Sequence, residues 1–431
     1  MEVSIMSWHQ KNIFLVGKSL IIGAFAALSA VAYRAVLGKS ELLCQKIFSL
    51  SVSGVHIILL FLFLLLVGLL VGRITESEPM IKGSGIPQLE GQFHGHFSPR
   101  PLAVLVKKFI GGALCIVCGL SLGREGPSIQ LGAMTGQLVA DRLPDTNEDD
   151  KKLLLLCGAC AGLAAAFNAP LAGVAFALEE TYKKITPKVV FTTASASIIA
   201  DIISKLFFGM EPALHMPHVD TLPLSAFFIY PIVGICCGCL GALFNKTLIS
   251  TQKLYKKLPL RDTFRIAIPF LFAGVFGLVL PEVLGGGHHI ISHLSDVGMT
   301  VGMMLLLLIG KFAFTMICFC SGAPGGIFFP LLVLGALSGG IIGCGACALL
   351  GLPESCMINF LLLGMTGMFS GIVRAPITGI ILVAEMSGSL TQFAGLVIVS
   401  VVSALTANML GSKPIYDQLL ENMLRAQTQS H

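Results

Sequence analysis

Charged side chains are scarce in this sequence: 28 Lys and Arg with 23 Asp and Glu make up only 12% of 431 residues. A soluble globular domain carries roughly a quarter, so that class is excluded. A signal-peptide pattern is also not expected from the first residues. Ahead of Ile13 there is no short apolar stretch closed by a small-residue cleavage site, so the first apolar run is expected to remain as a span. Histidine is missing beside the cysteines. Three C-x-x-C pairs, Cys115/Cys118, Cys157/Cys160 and Cys344/Cys347, and the cluster Cys236, Cys237 and Cys239 lie in apolar, small-residue sequence. That spacing puts two small side chains on one helix face and lets neighbouring helices approach, a packing role favoured over metal or redox chemistry.

Apolar residues make up 55% of the chain, glycine occurs 48 times, and mean hydropathy is +0.87. Stretches such as 54–72 match the ~20 residues needed to cross a hydrocarbon core. The net charge of +5 comes from basic residues in the connections, which suits membrane topology and not a nucleic-acid surface. An all-α polytopic membrane protein is expected, with apolar segments near 13–37, 54–72, 101–122, 127–142, 153–181, 187–208, 222–248, 264–284, 299–320, 327–351, 357–371 and 376–410. Many of these are interrupted by Gly, Pro or a charge, so broken helices are expected, sheltered by protein or a water-filled cavity.

The chain repeats itself. At a shift of 203 residues Lys108-Phe109 falls on Lys311-Phe312, Cys115 on Cys318, Gly123 on Gly326, and Pro127, Gly132 and Gly136 on Pro330, Gly335 and Gly339. At a shift of 206, Ala169-Pro170, Gly173 and Glu179 meet Ala375-Pro376, Gly379 and Glu385, the change being absorbed near the polar loop 141–152. One transmembrane domain over 1–431 is expected, built from related halves at about 13–208 and 222–410. Such repeats with interrupted helices point to a transporter whose site lies between the halves.

Three polar, glycine-rich segments interrupt apolar sequence: Gly83-Ser84-Gly85-Ile86-Pro87, Gly123-Arg124-Glu125-Gly126-Pro127, and Gly325-Gly326-Ile327-Phe328-Phe329-Pro330. Each reads as a helix entrance, with glycine for the sharp turn and proline in the first turn, where its missing N–H has no partner to lose. Amides and the helix dipole then make an anion site without a full cationic charge, and an anion held by dipoles can also leave. The plainer alternative is tight turns between packed helices. Glu125 is ionisable inside apolar sequence and a functional candidate by default; it could instead only pair with Arg124. Glu179-Glu180 precede Lys183, Lys184 and Lys188, which mark a cytoplasmic end. Glu180 could pass protons there, or be a solvated helix end paired with a lysine. Glu385 is expected to satisfy buried backbone or a polar neighbour. His94 with His96, and His288-His289, read as solvated loop residues, with pH sensing the alternative.

Together GSGIP at 83–87, GREGP at 123–127, GGIFFP at 325–330 and GSKPIY ending at Tyr416, with GLAAAFNAPLAG at 162–173, resemble the signature set of the chloride channel and transporter family over nearly the whole chain. The resemblance implies a homodimer, each subunit with its own anion pathway and inverted-topology repeats of broken, tilted helices. It implies a central anion held by the hydroxyls of Ser84 and Tyr416 and the amides of Ile327 and Phe328, with an outer site at the amides near Glu125 and Gly126. Glu125 takes the place of the family's external gating glutamate and Glu180 that of its internal proton-transfer glutamate. An acid at the latter position accompanies the family's exchangers, and serine at position 84 accompanies chloride preference where proline accompanies nitrate. Only 15 residues follow Tyr416, so the family's nucleotide-binding regulatory modules are not expected.

The favoured reading is a secondary antiporter exchanging chloride for protons in a bacterial cytoplasmic (inner) membrane, with no covalent chemistry, no cofactor, no nucleotide and no nucleic-acid partner. A passive chloride channel on the same fold is the alternative, and a membrane redox or metal-binding protein built on the C-x-x-C pairs is the third.

Overall fold

Proline and left-handed residues mark where many of the helices begin and end. The structure, a computed structural model, describes residues 2–50, 54–214, 216, 222–296 and 299–428, with side chains other than 2–11, 225, 296 and 354. Helices account for the regular structure among the described residues. They run as α1 (Glu2–Ser49), α2 (Gly54–Ser77), α3 (Ile86–Phe93), α4 (Pro101–Val117), α5 (Glu125–Ala140), α6 (Glu148–Phe167), α7 (Pro170–Phe176) and α8 (Pro187–Phe208). After these come α9 (Ile229–Lys257), α10 (Asp262–Val279), α11 (His288–Asp296), α12 (Val301–Cys320), α13 (Phe328–Leu350), α14 (Met357–Val373), α15 (Pro376–Ser387), α16 (Phe393–Met409) and α17 (Ile415–Thr428). Seven of them, α1, α2, α8, α9, α10, α12 and α13, are long and apolar enough to cross a membrane. Their outward faces carry Phe14, Ile58, Leu66, Leu206 and Ile309, as a lipid-facing surface requires.

Proline opens α4, α7, α8 and α15. The apolar stretch expected as one segment at 153–181 is three pieces. Asn168, at φ 54°, ends α6; Ala169-Pro170 restarts the chain as α7; and a π turn, Ala177–Thr181, follows. The stretch at 376–410 likewise breaks at Gly388, φ 66°, between α15 and α16. Neither break ends its apolar stretch in a hydropathy reading because each is brief: Asn168 is one polar residue among small ones, and 385–392 is a short polar segment between apolar runs.

The equivalent glycines of the repeat share one packing task. A Cβ on Gly132 of α5 would run into the Gly158 carbonyl of α6, and one on Gly335 or Gly339 of α13 would run into the Gly364 or Phe360 carbonyl of α14. Only glycine lets these backbones touch. Lys108 of α4 and Lys311 of α12 are both fully buried. Lys108 Nζ donates to the carbonyls of Ile81 (2.8 Å) and Gly83 (2.5 Å), and Lys311 Nζ to those of Val283 (3.0 Å) and Gly285 (2.6 Å). The loops they hold also match: Gly83 and Gly85 have φ 60° and 90°, Gly285 and Gly287 have φ 63° and 99°.

A reciprocal exchange of carboxylates joins the two stretches. Glu179 accepts from the N–H of Ile377 (3.1 Å) and of Thr378 (2.7 Å) at the start of α15. Glu385 of α15 accepts from the N–H of Leu171 (3.0 Å) and Ala172 (2.8 Å) at the start of α7. Each carboxylate thus satisfies amides that the first turn of a helix leaves open, as expected for Glu385. The thiols of Cys115, Cys157 and Cys160 are buried on α4 and α6, and Cys344 and Cys347 are half-buried on α13.

Candidate anion and proton site

The three glycine-rich loops are tied to one another. The N–H of Gly123 donates to the Gly326 carbonyl (2.7 Å), the N–H of Gly326 to the Gly123 carbonyl (2.8 Å), and the N–H of Gly325 to the Gly83 carbonyl (3.0 Å). Positive φ at Gly83 and Gly85 turns the first loop into α3, and Lys108 grips it from below. The starts of α3, α5 and α13 therefore meet at one place. Gly126 lies against Ser84 so closely that a Cβ would stand 2.8 Å from the Ser84 Cβ.

Ser84 is buried beside this junction, its Oγ accepting from the Ile86 N–H at 3.3 Å. Ile327 caps α13 and Phe328 is its first residue, both fully buried; amides at such a start have no carbonyl one turn earlier. The Phe328 ring packs on Phe369 (4.9 Å between centroids) and Phe167 (5.4 Å), which anchors that start. Tyr416 arrives from far along the chain. The loop ahead of α17 is held by Arg374, which donates to the Ser412 carbonyl (2.7 Å), and by Asn245, which donates to the Lys413 carbonyl (3.1 Å). The Tyr416 hydroxyl is buried with no protein partner and within electrostatic reach of both Glu125 and Glu180.

Glu125 opens α5 and is fully buried. Arg124 Nε lies 3.8 Å from its carboxylate, no side chain among the described residues hydrogen-bonds the carboxylate oxygens, and the backbone N–H groups of Glu125 itself and of Phe329 are the donors that face them. The carboxylate folds back over Gly123, where the Phe329 nitrogen also crowds in. It sits at the shared entrance of α5 and α13, which is more than a turn-stabilising ion pair provides.

Glu180 lies in the π turn and is only 3% exposed, with Oε1 unpartnered. The plainer alternative, a solvated helix end paired with a lysine, does not describe it: Glu180 is buried, and Lys183 pairs with Glu90 (2.9 Å) and Asp417 (2.7 Å). The helix folds Glu180 inward because its neighbour Glu179 is committed to α15. Of the histidines, His94 and His96 are exposed, as expected. His288 is not a solvated loop residue: it opens α11 and stacks on Phe329 with centroids 3.6 Å apart.

A cavity of about 520 Å³ reaches Ser84 and is lined by Lys82, Tyr255, Lys256, Asp262 and Arg265, with α17 as one wall. Asp262 partly offsets these cations, lying 2.5 Å from Lys82 and 3.4 Å from Arg265. The sequence reading passed over Lys82, although it directly precedes the first motif. Lys256 and Arg265 leave no local signal.

The sequence pattern of the voltage gated chloride channel family matches residues 63–408. The chain belongs to that family. As a family member it is 37% identical, over 428 residues, to the H(+)/Cl(-) exchange transporter ClcA of Vibrio cholerae serotype O1, covering 95% of this chain and 89% of that protein. It is 36% identical, over 364 residues, to the H(+)/Cl(-) exchange transporter ClcA of Salmonella agona, covering 82% and 76%. Its fold superposes on a slow cyanobacterial Cl-/H+ antiporter with TM-score 0.91 at 26% identity, over 96% of this chain and 99% of that one.

Proposed function

We propose that this chloride channel family member is a secondary active antiporter that exchanges chloride for protons across the membrane. The observation that carries the reading is the meeting of three helix starts beside a buried carboxylate, Glu125, that faces backbone N–H groups and takes no side-chain hydrogen bond among the described residues. Chloride entering the cavity meets Lys82, Lys256 and Arg265, which raise its local concentration. The central anion is held by the hydroxyls of Ser84 and Tyr416 and the amides of Ile327 and Phe328. These are dipoles, so binding is strong enough to select and weak enough to release. Glu125 competes with the anion when ionised. Protonated, it loses its charge and yields the site, which links one proton to the anion cycle. Glu180 supplies protons from the cytoplasmic side, and its burial with an open oxygen supports a relay role. The passive-channel alternative leaves this second buried carboxylate without a task.

The protein is a transporter and not an enzyme, needs no cofactor, and has chloride as its transported ion. Residues 1–431 make one transport domain of two halves, related as the Lys108/Lys311 and Glu179/Glu385 pairs suggest. We assign it to a bacterial inner membrane as a homodimer. Purified protein in liposomes, given a chloride gradient, no pH gradient and a clamped voltage, is expected to drive protons uphill. Glu125→Gln keeps the shape but removes the titratable charge, and is expected to pass chloride without protons. Chloride flux with no proton movement in the native protein would overturn antiport.

A further inference from the structure

Lys183 stands where the anion machinery and the internal proton site adjoin. It follows the π turn that carries Glu180 and holds φ 54°, a left-handed conformation that a lysine adopts only when its surroundings enforce it. Its ammonium is shared between two carboxylates on two other elements, Glu90 on α3 at 2.9 Å and Asp417 on α17 at 2.7 Å. Glu90 lies on α3, the helix that begins two residues after Ser84, and Asp417 directly follows Tyr416. One ammonium thereby joins the supports of both hydroxyls to the turn of Glu180. The carboxylates facing it are Glu90, Asp417 and Glu180 itself.

The two arms differ. The Glu90 side chain is 5% exposed, whereas those of Lys183 and Asp417 are 41% and 35% exposed. A buried carboxylate that loses its partner is strongly destabilised, while a half-exposed pair is held only weakly. The Asp417 arm can therefore open in water while the Glu90 arm persists.

We propose that Lys183 is a positioning residue of the exchange cycle, an ionic latch whose Asp417 arm opens to admit protons to Glu180 and whose closure holds α3 and α17 over it. Opening frees α17 next to Tyr416, so proton entry and the inner anion site change together. Lys183 touches neither ion; it acts through Glu90 and Asp417. This inference rests on the assignment of internal proton transfer to Glu180.

The test is the ratio of protons to chloride moved by the full-length protein in liposomes, a quantity that a loss of folded protein leaves unchanged. Asp417→Asn leaves the latch unable to close, so that proton entry and the inner anion site no longer change together, and is expected to lower that ratio about threefold. Lys183→Met, which also strips the buried Glu90 of its partner, is expected to lower it at least as much, with the double variant no lower than Lys183→Met. Lys183→Arg keeps both arms and is expected to keep the ratio. An unchanged ratio in Lys183→Met and Asp417→Asn, beside a Glu180→Gln protein that no longer moves protons, overturns the latch alone. Glu180→Gln protein with an unchanged ratio overturns the Glu180 assignment and the latch with it. Should Lys183→Met fail to fold, Asp417→Asn decides.

Discussion

Adding one methyl group at Gly126 tests whether the meeting of helix starts is the anion site. The Cβ of Gly126→Ala would lie 2.8 Å from the Ser84 Cβ and 3.0 Å from the Ser84 carbonyl oxygen. Carbon atoms in contact prefer about 3.5–4.0 Å, so the start of α5 and the 83–85 loop must part by about 1 Å. The loop cannot simply drift, because Lys108 and the Gly325 amide hold the Gly83 carbonyl. Overpacking of this kind costs about 1–3 kcal/mol. If the strain is relieved by moving Ser84 out of place, chloride binding weakens by roughly 5-fold to 100-fold, at about 1.4 kcal/mol per tenfold. The helix offsets part of this cost, since alanine is favoured over glycine by up to about 1 kcal/mol in a helix. Calorimetric titration of chloride into purified protein reads the affinity. Gly302→Ala on α12, where a Cβ meets nothing within 4 Å, serves as control and is expected to bind like the native protein. A Gly126→Ala protein that binds chloride within about twofold of native would refute the placement of the site at this junction, since 1 kcal/mol already exceeds that factor.

Two further outcomes follow from named contacts. Ser84→Pro removes the hydroxyl and the acceptor of the Ile86 N–H, and is expected to raise nitrate flux relative to chloride flux in liposomes; an unchanged ratio would remove Ser84 from selectivity. Glu179→Ala strips the amides of Ile377 and Thr378 of their acceptor, at a cost of about 1–3 kcal/mol. The unfolding temperature in detergent is expected to fall, and Glu385→Ala to lower it similarly; native-like melting of both would deny the reciprocal caps any share in stability.

Much of this protein is legible without coordinates, because a bilayer imposes rules that act locally. Low charge and long apolar runs are enough for a polytopic helical membrane protein, since only helices satisfy their own backbone there. Glycine and proline at Gly83–Pro87, Gly123–Pro127 and Gly325–Pro330 mark helix starts through their own backbone preferences. Matching spacings show that the chain repeats. Other features are invisible in one dimension. The break after Asn168 is marked by a single polar residue and that at Gly388 by a polar segment of a few residues, too short to separate two spans by hydropathy. Glu179 and Glu180 are adjacent and chemically identical, yet one caps α15 and the other turns inward, a difference set by a helix that begins at Pro376.

What the sequence alone determined is the class, the repeat and the location of three helix entrances, because each depends on composition or on a residue's own conformational limits. What only the tertiary structure decided is which of those entrances meet and which charges they meet with. Lys183 joins Glu90 and Asp417 across separations of 93 and 234 residues. Such pairings are chosen by packing geometry, because an ammonium that folding half-buries must take whichever carboxylates folding brings within reach.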